Sequence, residues 1–112
     1  MAPPLPDIRL VYSTAPDTET AQQLARMLVE NRLAACVNVL GPISSVYRWQ
    51  GEVVAEAEVA FLAKTTAQAV EALTERLVRD HPYECPCVVS LPVQGEEGHA
   101  PFLAWLAQEA RP

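Results

Sequence analysis

Residues 34–64 read AACVNVLGPISSVYRWQGEVVAEAEVAFLAK, and the fold follows from how this stretch alternates. On the outgoing arm Ile43, Ser45, Tyr47 and Trp49 share one face; on the return arm Val53, Ala55, Ala57, Val59 and Phe61 do the same. Period-two alternation of this kind marks half-buried strands. Between the arms stands Gln50-Gly51, where glycine supplies the positive backbone angle of a short hairpin turn. Each arm holds about 12 to 15 residues, or roughly 40 to 50 Å of strand. A domain of this size has a radius of gyration of only about 13 Å, so the arms outreach the body that must cover them. Gly41-Pro42 interrupts the outgoing arm and predicts a bend or bulge there.

Outward from the hairpin, the N-terminal side offers Ile8–Tyr12 as a short first strand. A turn over Ser13–Asp17 follows, with Asp17 positioned to cap a helix. Ala21, Leu24, Ala25, Leu28 and Val29 form the apolar stripe of that helix, and Asn31 is its expected left-handed end. On the C-terminal side Thr65-Thr66 offers a hydroxyl cap to a second helix striped by Val70, Leu73, Leu77 and Val78. Pro82 stops it, because the residue before a proline is excluded from helical geometry. Val88–Val93 reads as a last strand, placed at an edge by Pro92, and Pro101 opens a terminal helix carrying Phe102, Leu103, Trp105 and Leu106.

The order strand, helix, long strand, long strand, helix, strand predicts a ferredoxin-like α+β sandwich, a four-stranded antiparallel sheet with both helices on one face. Residues 1–7, MAPPLPD, read as a flexible tail and residues 8–112 as a single domain. The first and last strands are too short to pair with the whole hairpin. The remaining edges need cover, which predicts an oligomer with Tyr47, Trp49 and the face beginning at Val53 at its interface.

Composition excludes several partners. Eight Lys and Arg against 14 Asp and Glu leave a net charge of −6, which removes nucleic acid and anionic membrane surfaces as natural targets. No apolar run reaches the roughly 20 residues of a membrane span, and the N-terminus lacks the pattern of a secretory signal. Three cysteines, two of them separated by a single residue, do not make a disulfide framework, and a reducing cytoplasm is the expected compartment.

Two sets of residues carry chemistry. Cys85 and Cys87 flank Pro86, so an extended chain sets both sulfurs on one side, and His81 lies four residues upstream. Thiolates suit copper(I) and zinc, which makes His81, Cys85 and Cys87 a candidate soft-metal site. The competing reading makes Cys87 a small apolar residue entering the last strand, Cys85 a loop residue and His81 a helix-terminal residue facing the helix dipole. Glu56 and Glu58 share one strand face, either as a solvated face or as part of a site. No nucleophile with a partner base, phosphate loop or His-Glu-x-x-His run is present, so no enzymatic activity is expected.

Several segments together resemble the CutA family of divalent-cation tolerance proteins. They are Thr14-Ala15-Pro16-Asp17, Leu33–Asn38, Ser45-Val46-Tyr47-Arg48-Trp49-Gln50-Gly51, Glu56-Ala57-Glu58, Lys64-Thr65-Thr66, His81-Pro82-Tyr83-Glu84 and Phe102–Leu106. The resemblance implies a ferredoxin-like homotrimer with strands paired between subunits, located in the cytoplasm and linked to tolerance of copper or another divalent metal. Some members carry a cysteine just before Thr-Ala-Pro and two histidines before Pro-Tyr. Here Ser13, Asp80 and His81 occupy those places, so one strong copper ligand of three is kept. The resemblance also implies a cleft between subunits near Trp49, Glu58, Lys64 and Tyr83, able to hold an anion or small metabolite. An alternative function follows by analogy of fold: a sensor or scaffold like the trimeric PII proteins, which binds a small ligand and signals to a protein partner.

Overall fold

In the computed structural model, which describes residues 5–112, the hairpin forms as its alternation demands. The elements are β1 (Ile8–Ala15), α1 (Thr18–Glu30), β2 (Cys36–Trp49), β3 (Glu52–Thr66), α2 (Val70–Asp80), β4 (Val88–Pro92) and α3 (Ala100–Glu109), with a single 3-10 turn at Gly95–Glu97. All pairs are antiparallel, and the sheet order is β2-β3-β1-β4, the split β-α-β arrangement expected from the sequence. Of the proposed tail, residues 1–4 lie outside the described residues. Asp7 is tied down, its carbonyl accepting from Ala67 N–H at 2.8 Å, while Leu5 and Pro6 pass beside Gly95.

The turn between the arms closes on two residues with positive φ, Gln50 at 49° and Gly51 at 83°, as a twist-matched two-residue hairpin requires. The bulge falls between Val39 and Gly41, where Leu40 has no opposite number and Gly41 takes a φ of 111°. Counting past it, Ile43, Ser45, Tyr47 and Trp49 stand opposite Glu58, Glu56, Val54 and Glu52. They therefore occupy the opposite sheet face from Val53, Ala55 and Ala57, and Tyr47 and Trp49 do not share a surface with Val53.

The other sheet face makes the core. Val11 and Ala15 of β1, Val59, Phe61 and Ala63 of β3, and Leu24, Leu28, Leu73 and Leu77 of the two helices are buried together. Both helices pack on this one side, and each such aliphatic side chain contributes on the order of 1.5 to 3 kcal/mol by leaving water. A smaller cluster of Ile8, Ala35, Leu103, Leu106 and Ala110 fixes α3 at one end of the opposite face.

Four local expectations change. β1 runs through Ser13, Thr14 and Ala15, which the sequence reading made a turn, because the long β3 still offers Phe61, Ala60 and Val59 as partners. The left-handed residue ending α1 is Arg32 (φ 58°) rather than Asn31; Leu33 N–H returns to Leu28 carbonyl and Arg32 N–H to Val29, a Schellman ending. Asn31 contributes through its side chain, which donates to Met27 carbonyl at 2.8 Å. Thr65 donates to Leu33 carbonyl within the core, which leaves the hydroxyl of Thr66 alone to accept from Ala69 N–H at 3.3 Å at the entry to α2, and Val78 and Val29 point to solvent. Asp17 caps α1 as expected, accepting from Thr20 N–H at 2.7 Å.

β1 covers β3 only from Val59 to Thr66, so the Glu52–Glu58 half of β3 pairs with β2 alone. The outer edge of β2 has no strand partner among the described residues. The arm projects, giving extents of 56 × 26 × 22 Å and a radius of gyration of 15.1 Å against the roughly 13 Å of a compact domain this long. Along it Val46 is 71% and Val53 67% exposed.

Candidate functional site

The projecting arm and the segment between α2 and β4 face each other across a cleft of about 790 Å³. Its floor is the sheet face opposite the helices, carrying Tyr12, Thr14, Ser45, Tyr47, Trp49, Glu56 and Glu58; its wall is Pro82–Cys85 with Cys87. The wall starts where Pro82 ends α2, leaving His81 extended at φ −75° and ψ 140°.

His81 is the pin of this wall. Its side chain is 7% exposed, its Nε2 lies 2.7 Å from Thr14 carbonyl oxygen, and its Nδ1 accepts from Tyr83 N–H at 3.1 Å. With Nδ1 accepting, the proton must sit on Nε2, which then donates to Thr14, so both ring nitrogens are occupied within the fold. The far end is pinned too, since Ser13 Oγ donates to Cys87 carbonyl at 2.6 Å.

Glu58 joins floor and wall. One carboxylate oxygen accepts from Tyr83 hydroxyl at 2.9 Å and the other from Ser45 hydroxyl at 2.5 Å, while the side chain is 9% exposed. Burial first, then the hydrogen bond to Glu58 and the charges of Glu58 and Glu56, push the Tyr83 phenol far above its ordinary range. Tyr47 is raised as well, chiefly by the carboxylate of Glu56 beside it. Burial and the Glu58 charge push the Cys87 thiol up. Three acids, Tyr47 on β2 and Tyr83 and Cys87 on the segment between α2 and β4, thus hold their protons more tightly, in keeping with an electronegative space. Glu56, Glu58 and Glu84 line the cleft, and among the described residues no Lys or Arg does. Such a field attracts cations and disfavours the anion that the sequence reading allowed.

Of the residues expected at a ligand cleft, Trp49, Glu58 and Tyr83 come together here. Lys64 does not: it lies six residues along β3 from Glu58, about 20 Å in strand rise, with its ammonium 5.6 Å from the Phe102 ring centre. Cys85 and Cys87 both line the cleft, Cys85 exposed and Cys87 half-buried, and both are free thiols. His81, Cys85 and Cys87 do not converge; among the described residues no group of three or more His, Cys, Asp or Glu is disposed to hold a metal ion. With its two nitrogens committed to Thr14 and Tyr83, His81 is a structural pin. Ser45 was missed from the sequence, although counting outward from Gln50-Gly51 sets it opposite Glu56 and next to Glu58.

Comparison with known proteins places these features in a group. A sequence profile described as CutA1 divalent ion tolerance protein matches residues 9–109. The chain is 46% identical to the divalent-cation tolerance protein CutA of Thermus thermophilus over 99 residues, 88% of this chain and 94% of that protein. It is 42% identical over 101 residues to Protein CutA of Mus musculus, covering 90% of this chain and 56% of the longer mouse protein. The crystal structure of CutA1 from Oryza sativa superimposes with a TM-score of 0.90 at 37% identity, covering 96% of each chain.

Proposed function

The chain belongs to the CutA1 divalent ion tolerance family, and on that premise we propose that it serves divalent-cation tolerance as a cation-binding protein without catalytic turnover, acting in the cytoplasm. The observation that carries the reading is the electronegative cleft, where Glu56, Glu58 and Glu84 meet two free thiols without a basic residue. A divalent ion about 8 Å from a carboxylate in a water-like medium gains about 1 kcal/mol, and three carboxylates act together. A single chain offers attraction without a complete ligand set, so the site is completed where copies meet. The unpaired outer edge of β2 and the half-paired Glu52–Glu58 segment supply the contact, and a homotrimer closes such edges without forming a fibre. Copper is the ion best matched by the thiols; the carboxylates serve other divalent metals.

Among the described residues no helix is long and apolar enough to cross a membrane, in keeping with a protein that meets ions in solution. A small-ligand sensor is the second reading, favoured by the cleft volume of about 790 Å³ and its Ser45-Glu58-Tyr83 hydrogen-bond array. Growth of cells lacking this protein at inhibitory copper and zinc tests the first reading. Restored growth with the wild-type chain but not with a Glu56→Gln/Glu58→Gln/Glu84→Gln chain is the expected result. Equal rescue by both would refute the cleft as the working site.

A further inference from the structure

The carboxylates of the cleft favour positive charge, and its rings narrow the kind. Of the two Trp, three Tyr and two Phe in the chain, all three Tyr and one Trp line this one space: Tyr12, Tyr47, Trp49 and Tyr83. An aromatic face carries a negative quadrupole that attracts a cation, and the same rings offer apolar surface. The arrangement is built into the fold. Strand pairing sets Tyr47 and Trp49 at alternate positions on the sheet face that carries Glu56 and Glu58, the two carboxylates being two residues, about 7 Å, apart. Tyr83 is held at two points, its backbone N–H donating to His81 Nδ1 at 3.1 Å and its hydroxyl to Glu58 at 2.9 Å. Both oxygens of Glu58 accept from hydroxyls, so it contributes a fixed charge, whereas Glu56 and Glu84 are exposed and free to meet an N–H donor. A held ring beside a held charge leaves little freedom to lose on binding.

We propose that the cleft binds a small organic ammonium ion, its alkyl groups against Tyr47, Trp49 and Tyr83 and its charge balanced by Glu56, Glu58 and Glu84. This rests on the small-ligand reading of the cleft and names the class of ligand. A bare metal ion needs converging donors, and among the described residues of one chain no group of three or more His, Cys, Asp or Glu supplies them. An ammonium does not need that convergence, because cation–π attraction and separated carboxylates act on it together. An anion is repelled by the three carboxylates, and a neutral molecule gains nothing from them. The volume of about 790 Å³ falls within the roughly 300 to 1,000 Å³ of small-molecule sites.

Trp105→Phe leaves Trp49 as the single tryptophan, so its fluorescence reports on the cleft. This chain is titrated with tetramethylammonium, with 1,4-diaminobutane and with tert-butanol, a neutral near-isostere of the first. The expected result is a saturable change with an ammonium ion and none with tert-butanol at the same concentration. A response to tetramethylammonium alone assigns an alkylated head group, and a response to the diamine alone assigns a primary amine; each supports the proposal. In calorimetry on chains that melt cooperatively, Trp49→Leu, which keeps an apolar side chain, should weaken ammonium binding by roughly two- to thirtyfold. Glu56→Gln should weaken it by about fivefold. Equal affinity in wild type and Trp49→Leu/Glu56→Gln overturns the proposal, as does tert-butanol binding as tightly as tetramethylammonium. If no ammonium binds but a thermal-shift screen of anionic and neutral metabolites finds a stabilising ligand, the proposal falls and the small-ligand reading stands. If the screen also finds none, both fall.

Discussion

The Tyr83 hydroxyl donates to Glu58 Oε1 at 2.9 Å, and this bond ties the wall of the cleft to the middle of the projecting β3 arm. Its loss in Tyr83→Phe should cost about 1 kcal/mol and lower the melting temperature by a few degrees, since Glu58 keeps only Ser45. The sign of the pH dependence also follows. Tyr83 has a raised pKa in the fold, so the unfolded chain releases the phenolic proton near pH ~10 while the folded chain retains it. Stability from this group is complete below that pH and declines above it. Urea midpoints measured on either side of pH ~10 should fall less steeply for Tyr83→Phe than for wild type; equal slopes would count against the coupling.

Glu58 also bears on the thiol beside it. Its charge helps hold the Cys87 proton, after burial, so Glu58→Gln should lower the thiol pKa and speed alkylation of Cys87 at neutral pH. The amide can still accept from Tyr83 and donate to Ser45. A rate unchanged in the variant, followed by mass spectrometry, would show that Glu58 does not act on that sulfur.

Substitution of His81 separates two roles. As a buried pin with two hydrogen bonds, His81→Ala should destabilise the fold by about 2 to 3 kcal/mol. The zinc and copper(II) affinities of the folded fraction should stay within about threefold of wild type, a difference below 1 kcal/mol. A large loss of affinity with little loss of stability would instead make the imidazole a ligand.

Much of this architecture is legible in the sequence because the decisive signals are local. Alternation through residues 43–61, Gln50-Gly51, Gly41-Pro42 and Asp17 each dictate a backbone geometry, and each geometry is found. What escapes is set by partners distant in the chain. Nothing local says that Ser13–Ala15 will find Phe61–Val59 and stay a strand, or that the ring of His81 will be consumed by Thr14 and Tyr83. The spacing of His81, Cys85 and Cys87 suggested a shared site, yet sequence proximity does not decide which way a buried ring faces. The cleft residues Trp49, Glu58 and Tyr83 came from resemblance to a family, and Lys64, drawn from the same source, sits with Phe102 instead.

The bulge offers a backbone test. Gly41 sits at φ 111° with open space where a Cβ would stand, so Gly41→Ala meets no clash and pays only the conformational penalty, about 1 to 2 kcal/mol. Equilibrium unfolding gives that number; a variant as stable as wild type would mean the arm can straighten or shift its register.

Sedimentation equilibrium addresses the edges. At micromolar concentration the chain should sediment as a trimer, at three times its 12.2 kDa mass. A species of one chain mass would leave the β2 edge without the cover argued for it.

The cleft as a cation site is most directly tested by calorimetric titration of zinc and copper(II) at low ionic strength. The comparison is between wild type and a Glu56→Gln/Glu58→Gln/Glu84→Gln chain that melts cooperatively. The electronegative lining predicts wild-type binding that weakens by roughly tenfold or more in the variant, the equivalent of about 1.4 kcal/mol. Equal affinities in the two chains would contradict it.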